Sequence, residues 1–103
     1  MANDDVLVKI RYRARPGHED EASRELAALI ATVLAEEPDC HGITLLGEQD
    51  DAASLLLVEW WSSREAYSGP HLQTPHLNAF RARAADFFAG PPEITFWDPL
   101  PRP

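Results

Sequence analysis

One cysteine, one methionine and five glycines are all the chain offers of those residues in 103 positions. Cys40 has no partner for an intramolecular disulfide and no CxxC spacing, so it reads as a small buried or turn residue rather than a nucleophile. Cations are also few. Nine Lys and Arg stand against 17 Asp and Glu, a formal net charge of -8, which argues against a nucleic-acid-binding surface. No amino-terminal apolar run has the form of a signal peptide or a membrane span. These absences lead us to expect a soluble cytoplasmic protein with neither nucleic acid nor membrane as partner.

Glycine-rich cradles are missing too. There is no GxGxxG after a strand, no Walker loop, no GxSxG elbow, and no cysteine set beside a histidine by a known motif. A chain of this length buries only about 60–65% of the surface its unfolded form exposes, which leaves no room for a separate cofactor domain. The expectation is one domain over residues 1–103, with its core between about 6 and 98, and no cofactor.

The hydrophobic pattern is informative. "DVLVKIRYR" alternates Val6, Val8, Ile10 and Tyr12 with Leu7, Lys9 and Arg11, the period of a strand with one strongly apolar face. From Glu19 to Glu36 the residues Ala22, Leu26, Leu29, Ile30 and Val33 recur at helical spacing, and Pro38 and Gly42 end that helix. "GITLLGE" and "SLLLVEWW", separated by "QDDAA", form a hairpin. In the second run Leu55, Leu57, Glu59 and Trp61 share one side and Leu56, Val58 and Trp60 the other, so this strand is central in a sheet or lines a second cavity. A later helix carries Leu77, Phe80, Ala84, Phe87 and Phe88, "GPP" stops it, and "EITFWD" is a last short strand.

The order is β-α-β-β-α-β, a ferredoxin-like α+β fold in which two helices cover one face of a four-stranded antiparallel sheet. Trp61, Trp97 and the leucines of the third strand supply more apolar surface than two helices hide. A second copy of the chain is therefore expected to close over the open face as a homodimer. Lys9, Arg11, Arg13 and Arg15 alternate along the first strand and its exit; with no stacking aromatics among them they read as a solvated strand edge, an anion site being the alternative.

The polar residues with chemical potential gather late. Thr74 is a good N-cap and Pro75 suits the first helical position, which puts His76 in the first turn, at the rim of the apolar stripe, and His71 in the connection before it. The two histidines do not share a helix face. A metal needs three or more converging ligands, and neither HxxxH nor HxH is present, so no metal is expected; His41 and Glu59 would have to be recruited from elsewhere. An apolar pocket between sheet and helices with a few polar groups is the remaining route to chemistry, with Glu59, His71, His76, Tyr12 and the tryptophans as candidates. Each has a plainer reading. His71 suits a hydrogen-bonding loop residue, His76 an amphipathic helix start, Glu59 a strand-end carboxylate paired with an arginine, and Trp61 a structural filler.

"RPGHEDEASRELAALI", "EEPDCHGITLL" and above all "LLLVEWWSSREAYSGPHLQTPHLNAF" resemble the antibiotic biosynthesis monooxygenase family of small dimeric α+β barrel proteins, over roughly residues 6 to 98. In the last block Glu59, Trp61, Ser63-Arg64-Glu65-Ala66, His71, Pro75-His76 and Phe80 stand in the family's order. The resemblance implies a cofactor-independent monooxygenase that deprotonates a quinol-like or polycyclic phenolic substrate and lets the resulting anion donate electrons to O₂. His71 and Glu59 would be catalytic, with His76, Trp61, Tyr12 and Phe80 binding the substrate. The family's haem-degrading branch fits poorly, because Lys9, the Pro70-His71 pair and Arg81 stand where that branch carries asparagine, tryptophan and histidine. A non-catalytic dimeric binding or stress-associated protein is the alternative from a different class.

Overall fold

A computed structural model of the chain describes residues 4–101. The strands are β1 (Val6–Arg13), β2 (Cys40–Glu48), β3 (Asp51–Trp61) and β4 (Glu93–Trp97). The helices are α1 (Glu19–Glu36), α2 (Arg64–Ser68) and α3 (Pro75–Arg83), with short 3₁₀ turns at Pro70–Gln73 and Ala84–Asp86. The sheet order is β2-β3-β1-β4 and every pairing is antiparallel. This is the ferredoxin-like α+β arrangement read from the sequence.

Alternation decides the two faces. Val8, Ile10 and Tyr12 of β1 and Leu55, Leu57, Glu59 and Trp61 of β3 are buried beneath the helices. Ala22, Leu26 and Val33 of α1 and Leu77 and Phe80 of α3 meet them from above, with Phe87 and Phe88 filling one end. Each fully buried large side chain of this kind contributes roughly 1.5–3 kcal/mol of transfer free energy. Leu7, Lys9 and Arg11 pair with Trp97, Thr95 and Glu93 on the opposite face, where Leu56, Val58 and Trp60 also lie. Leu46 and Trp97 are exposed there.

Several expectations need correction. Trp61 is covered by the helices, with only 1% of its surface exposed; the tryptophans of the open face are Trp60 and Trp97. The period of two groups residues correctly but does not say which group faces the helices when both are apolar. β1 is an interior strand, so its basic residues are not an edge. Arg11 and Arg13 are paired with Glu48, Glu93 and Asp51, and Lys9 sits over the Trp97 ring at 5.0 Å. The hairpin turn is tighter than "QDDAA": Asp51 already belongs to β3, and Asp50 takes a φ of 67° that an aspartate tolerates. The second helical region is broken into α2, a 3₁₀ turn and α3, and α3 stops before Phe87 and Phe88, which stay buried without being helical. Among the described residues no helix is long and apolar enough to cross a membrane.

Candidate active site

α1 ends because Pro38 forces the residue before it out of helical conformation, and Glu37 duly takes φ -118° and ψ 94°. The Glu37 carboxylate then meets both histidines of the late block. His71 Nδ1 lies 2.9 and 3.0 Å from its two oxygens, and His76 Nε2 lies 2.6 Å from Oε2. The histidines do not share a helix face, yet they share one carboxylate. An ionised carboxylate only accepts, so both facing ring nitrogens carry the proton. The far nitrogen of a neutral His71, Nε2, therefore keeps its lone pair.

The local chain is built to hold that arrangement. Ser63 caps α2 by accepting from Ala66 N, and the chain then turns at Gly69, where a Cβ would stand 2.9 Å from the Glu65 carbonyl oxygen. His71 follows on the 3₁₀ turn, and its carbonyl accepts from both the backbone N–H (3.3 Å) and the hydroxyl (3.0 Å) of Thr74. Thr74 in turn accepts from Leu77 N at 3.3 Å and starts α3, with Pro75 at its first position as expected.

His71 is 4% exposed. Its ring packs 4.6 Å from that of Trp61 and 5.0 Å from that of Tyr67. Burial lowers its pKa and so favours the neutral ring, against the opposing pull of Glu37. Glu59 is equally buried and has no cationic partner among the described residues; its carboxylate accepts from Trp61 Nε1 at 2.8 Å. The expected arginine pairing of Glu59 is therefore absent, because the residue faces the helices rather than the strand's solvated end. Burial pushes its carboxyl up to about 7, with the Trp61 hydrogen bond pulling it down and the charge of Glu37 adding to the rise.

Tyr12 stacks on Phe88 with ring centroids 4.4 Å apart and meets the edge of Phe80 at 6.4 Å. The hydroxyls of Tyr12 and Tyr67 are pushed above the usual tyrosine range, first by burial, then by the negative charge of Glu59, with Arg81 opposing. Arg81 also bears on His71. Tyr12, Tyr67, Glu59 and His71 thus form one electrostatic neighbourhood under the helices, and the exposed Arg81 of α3 bears on it from outside.

Access to this neighbourhood is not what the sequence suggested. Trp61 and Tyr67 occupy the space around His71, and His71 and Glu59 border none of the larger clefts. An apolar cleft of about 470 Å³ has Tyr12, Arg15, Arg81, Ala84, Phe88 and Pro91 in its walls. His76 and Phe80 border a smaller one, about 210 Å³, between α1 and α3. Of the six residues singled out, Tyr12 alone reaches the larger cleft.

His41 lies elsewhere. It is the extra residue of a bulge between Cys40 and Gly42, and its Nδ1 bonds the buried Asp5 carboxylate at 2.9 Å. Among the described residues no group of three or more His, Cys, Asp or Glu is disposed to hold a metal. Cys40 is buried and its thiol is pushed up to about 12, mainly by burial, which suits a packing residue.

Glu37, Tyr67 and Arg81 were not singled out from the sequence. Glu37 carried one local hint, its place between a helix end and Pro38. Tyr67 sits on a five-residue helix, too short to display a period.

Comparison with known proteins gives a consistent picture. A family model described as antibiotic biosynthesis monooxygenase matches residues 5–83. The Escherichia coli (strain K12) protein described as "Probable quinol monooxygenase YgiN" is 34% identical over 85 residues, covering 73% of this chain and 78% of that one. Rv0793 from Mycobacterium tuberculosis superposes with a TM-score of 0.81 at 28% identity, over 95% of this chain and 97% of that chain. PA3566 from Pseudomonas aeruginosa reaches 0.84 at 23% identity, over 95% and 96%, a likeness of fold.

Proposed function

We propose that this chain, which belongs to the antibiotic biosynthesis monooxygenase family, is a cofactor-independent monooxygenase of a quinol-like or polycyclic phenolic substrate, with His71 as proton acceptor. The observation that carries the reading is the Glu37–His71 pair. A partly buried carboxylate fixes the Nδ1–H tautomer, burial of the ring favours its neutral form, and Nε2 is left as a base. The same logic orients the histidine of a serine-protease triad.

In this reading the Trp61 and Tyr67 rings that pack on His71 give way to a planar phenol entering past Tyr12 and Arg81, and His71 Nε2 takes its hydroxyl proton. The electron-rich anion donates to O₂. One oxygen atom bonds to a ring carbon, and the other leaves as water with the two hydrogens the substrate loses. Glu59 positions the Trp61 indole that packs on His71, and Trp61, Tyr12, Phe80 and His76 shape the space. The open sheet face, with Leu46, Leu56, Val58, Trp60 and Trp97, is covered by a second copy of the chain, and an obligate interface of this kind removes roughly 2,000 Å² or more from water.

One observation favours a second reading, a non-catalytic binding protein: Trp61 and Tyr67 fill the space around His71. Oxygen uptake separates the two. Metal-stripped protein incubated with a panel of hydroquinones and anthrone-like phenols is expected to consume O₂ above the rate of autoxidation. Protein-independent uptake across the whole panel would sink the monooxygenase reading.

A further inference from the structure

Arg15 and Arg81 are the unusual feature of the 470 Å³ cleft. In a chain with 17 acidic side chains against nine basic ones, Arg11, Arg13 and Arg83 make ion pairs, whereas Arg15 and Arg81, like Arg24 and Arg64, make none among the described residues; what sets Arg15 and Arg81 apart is that both line one apolar cleft. Both are nonetheless held in place by neutral oxygens. Arg15 Nε donates to the Ala85 carbonyl at 2.7 Å, and Arg81 Nη2 donates to the Leu72 carbonyl at 2.6 Å and to Asn78 Oδ1 at 2.9 Å. A guanidinium pinned by carbonyls keeps its full charge and most of its five N–H donors.

Between these two cations the wall is aromatic and apolar. Phe88 is fixed there because the chain around it pairs with the exit of β1: Arg15 N donates to Phe87 O and Ala89 N to Arg13 O, both at 2.8 Å. Its ring stacks on Tyr12, and Ala84, Pro91 and Pro92 complete the surface. The cleft falls within the volume range of small-molecule sites.

We propose that this cleft binds an aromatic carboxylate, the ring lying against Phe88 and Tyr12 and the carboxylate taken by Arg15 and Arg81. The proposal rests on the reading above in one respect, that the cleft admits a flat aromatic ring. It adds that the ring carries an acid group. A carboxylate accepts from guanidinium through short, charge-assisted bonds, and the apolar wall beside the two exposed arginines offers the ring a face to pack on. Arg81 is shared between the cleft and the Tyr12–Tyr67–His71 neighbourhood. The acid group would thus anchor the ring at the boundary of the interior cluster.

Calorimetric titration of the full chain with 2-naphthoate and with its neutral isostere 2-naphthamide tests the idea without any turnover. The naphthoate is expected to bind about tenfold more tightly, and added salt should narrow the gap. Arg15→Gln and Arg81→Gln are each expected to weaken naphthoate several-fold while leaving the amide unchanged. Arg15 lies outside the turn that holds His71, so it keeps the test sound if Arg81→Gln disturbs that turn. Equal affinity for the two probes, no binding of either, or a preference indifferent to Arg15→Gln would overturn the proposal. Oxygen uptake is read separately. A naphthoate preference with no oxidisable substrate defeats the monooxygenase reading alone, and oxidation of neutral quinols with no naphthoate preference defeats this one alone.

Discussion

The two faces of the sheet treat charge in opposite ways. On the open face Arg11 lies 3.9 Å from both Glu48 and Glu93, Arg13 reaches Asp51 at 3.1 Å, and Lys9 sits over Trp97. Every one of those charges is solvated and has a partner. On the helix-covered face Glu59 has no cation among the described residues, and Glu37 is shared by two imidazoles. Exposed pairs of the first kind contribute little to stability, while a buried carboxylate without a counter-charge is costly. A fold that needed only packing would have put an apolar side chain at residue 59. Under the proposed function, that contrast is what supports assigning chemistry to the covered face and a partner copy to the open one.

The largest expected effect lies on the covered face. His71→Asn retains a donor for Glu37 and removes the Nε2 lone pair, so the rate of O₂-dependent oxidation should fall by about 10²–10⁴ with the near-ultraviolet circular dichroism unchanged. His76→Ala should mainly raise KM, because the residue borders the smaller cleft between α1 and α3. Burial lowers the His71 pKa, so the acid limb of the wild-type rate profile should fall below the ordinary histidine value. A full rate in His71→Asn would return that residue to a structural role and leave the chemistry to the substrate and its pocket.

Next comes Glu59. Its carboxyl rises from 4.5 to about 7 in the fold, so between those values the native state binds more protons than the unfolded chain and stability falls as pH rises. The cost of holding it ionised is about 3 kcal/mol. Glu59→Gln still accepts from Trp61 Nε1 and carries no charge. Thermal melts at pH 8 should therefore show the variant more stable than the parent by about that amount, and melts well below pH 4.5 should show little difference. Lower stability of Glu59→Gln at pH 8 would mean that the ionised form has a partner which the present geometry does not reveal.

How much of this was legible beforehand depends on the range of the interaction. β1, α1, the Thr74-Pro75 cap and the strand pairing of β2 with β3 are written in spacing and cap residues a few positions apart. Glu59, His71 and Tyr12 were visible as polar or amphipathic side chains in otherwise apolar or family-like runs. The convergence on Glu37 was not, since Glu37 is 34 positions from His71 and 39 from His76, and no local pattern encodes that meeting. The cleft was invisible for the same reason: Arg15 and Arg81 are joined through a segment, Phe87 to Ala89, that pairs with β1 only in the fold. Trp60 and Trp61 show the limit of periodicity. Both strings on β3 are apolar, so only the helices decide which one is covered.

On the open face a smaller effect is expected. Trp97→Glu places a charge where Trp97 is 51% exposed in the single chain. If a second copy covers that face, the dimer dissociation constant should rise by about thirtyfold, the effect of losing about 2 kcal/mol at an aromatic anchor. Sedimentation at several concentrations reads this directly. A parent chain that stays folded and monomeric at low micromolar concentration would show instead that the open face needs no cover.

The smallest effect belongs to Arg11, and it is the one that separates the two faces most cleanly. Its contacts with Glu48 and Glu93 are long and its side chain is half-exposed, so in a monomer Arg11→Gln should change stability by less than about 1 kcal/mol and the change should vanish in high salt. A second copy closing over the face would alter that outcome, because the same three charges would then lose water and the two carboxylates would be left unpaired inside an interface. The destabilisation of Arg11→Gln should therefore grow with protein concentration, through the range where the dimer forms. Chemical denaturation of parent and variant at matched low and high concentrations measures the difference. An effect that stays small and salt-sensitive at every concentration would place Arg11 in water for good, and with it the centre of the open face.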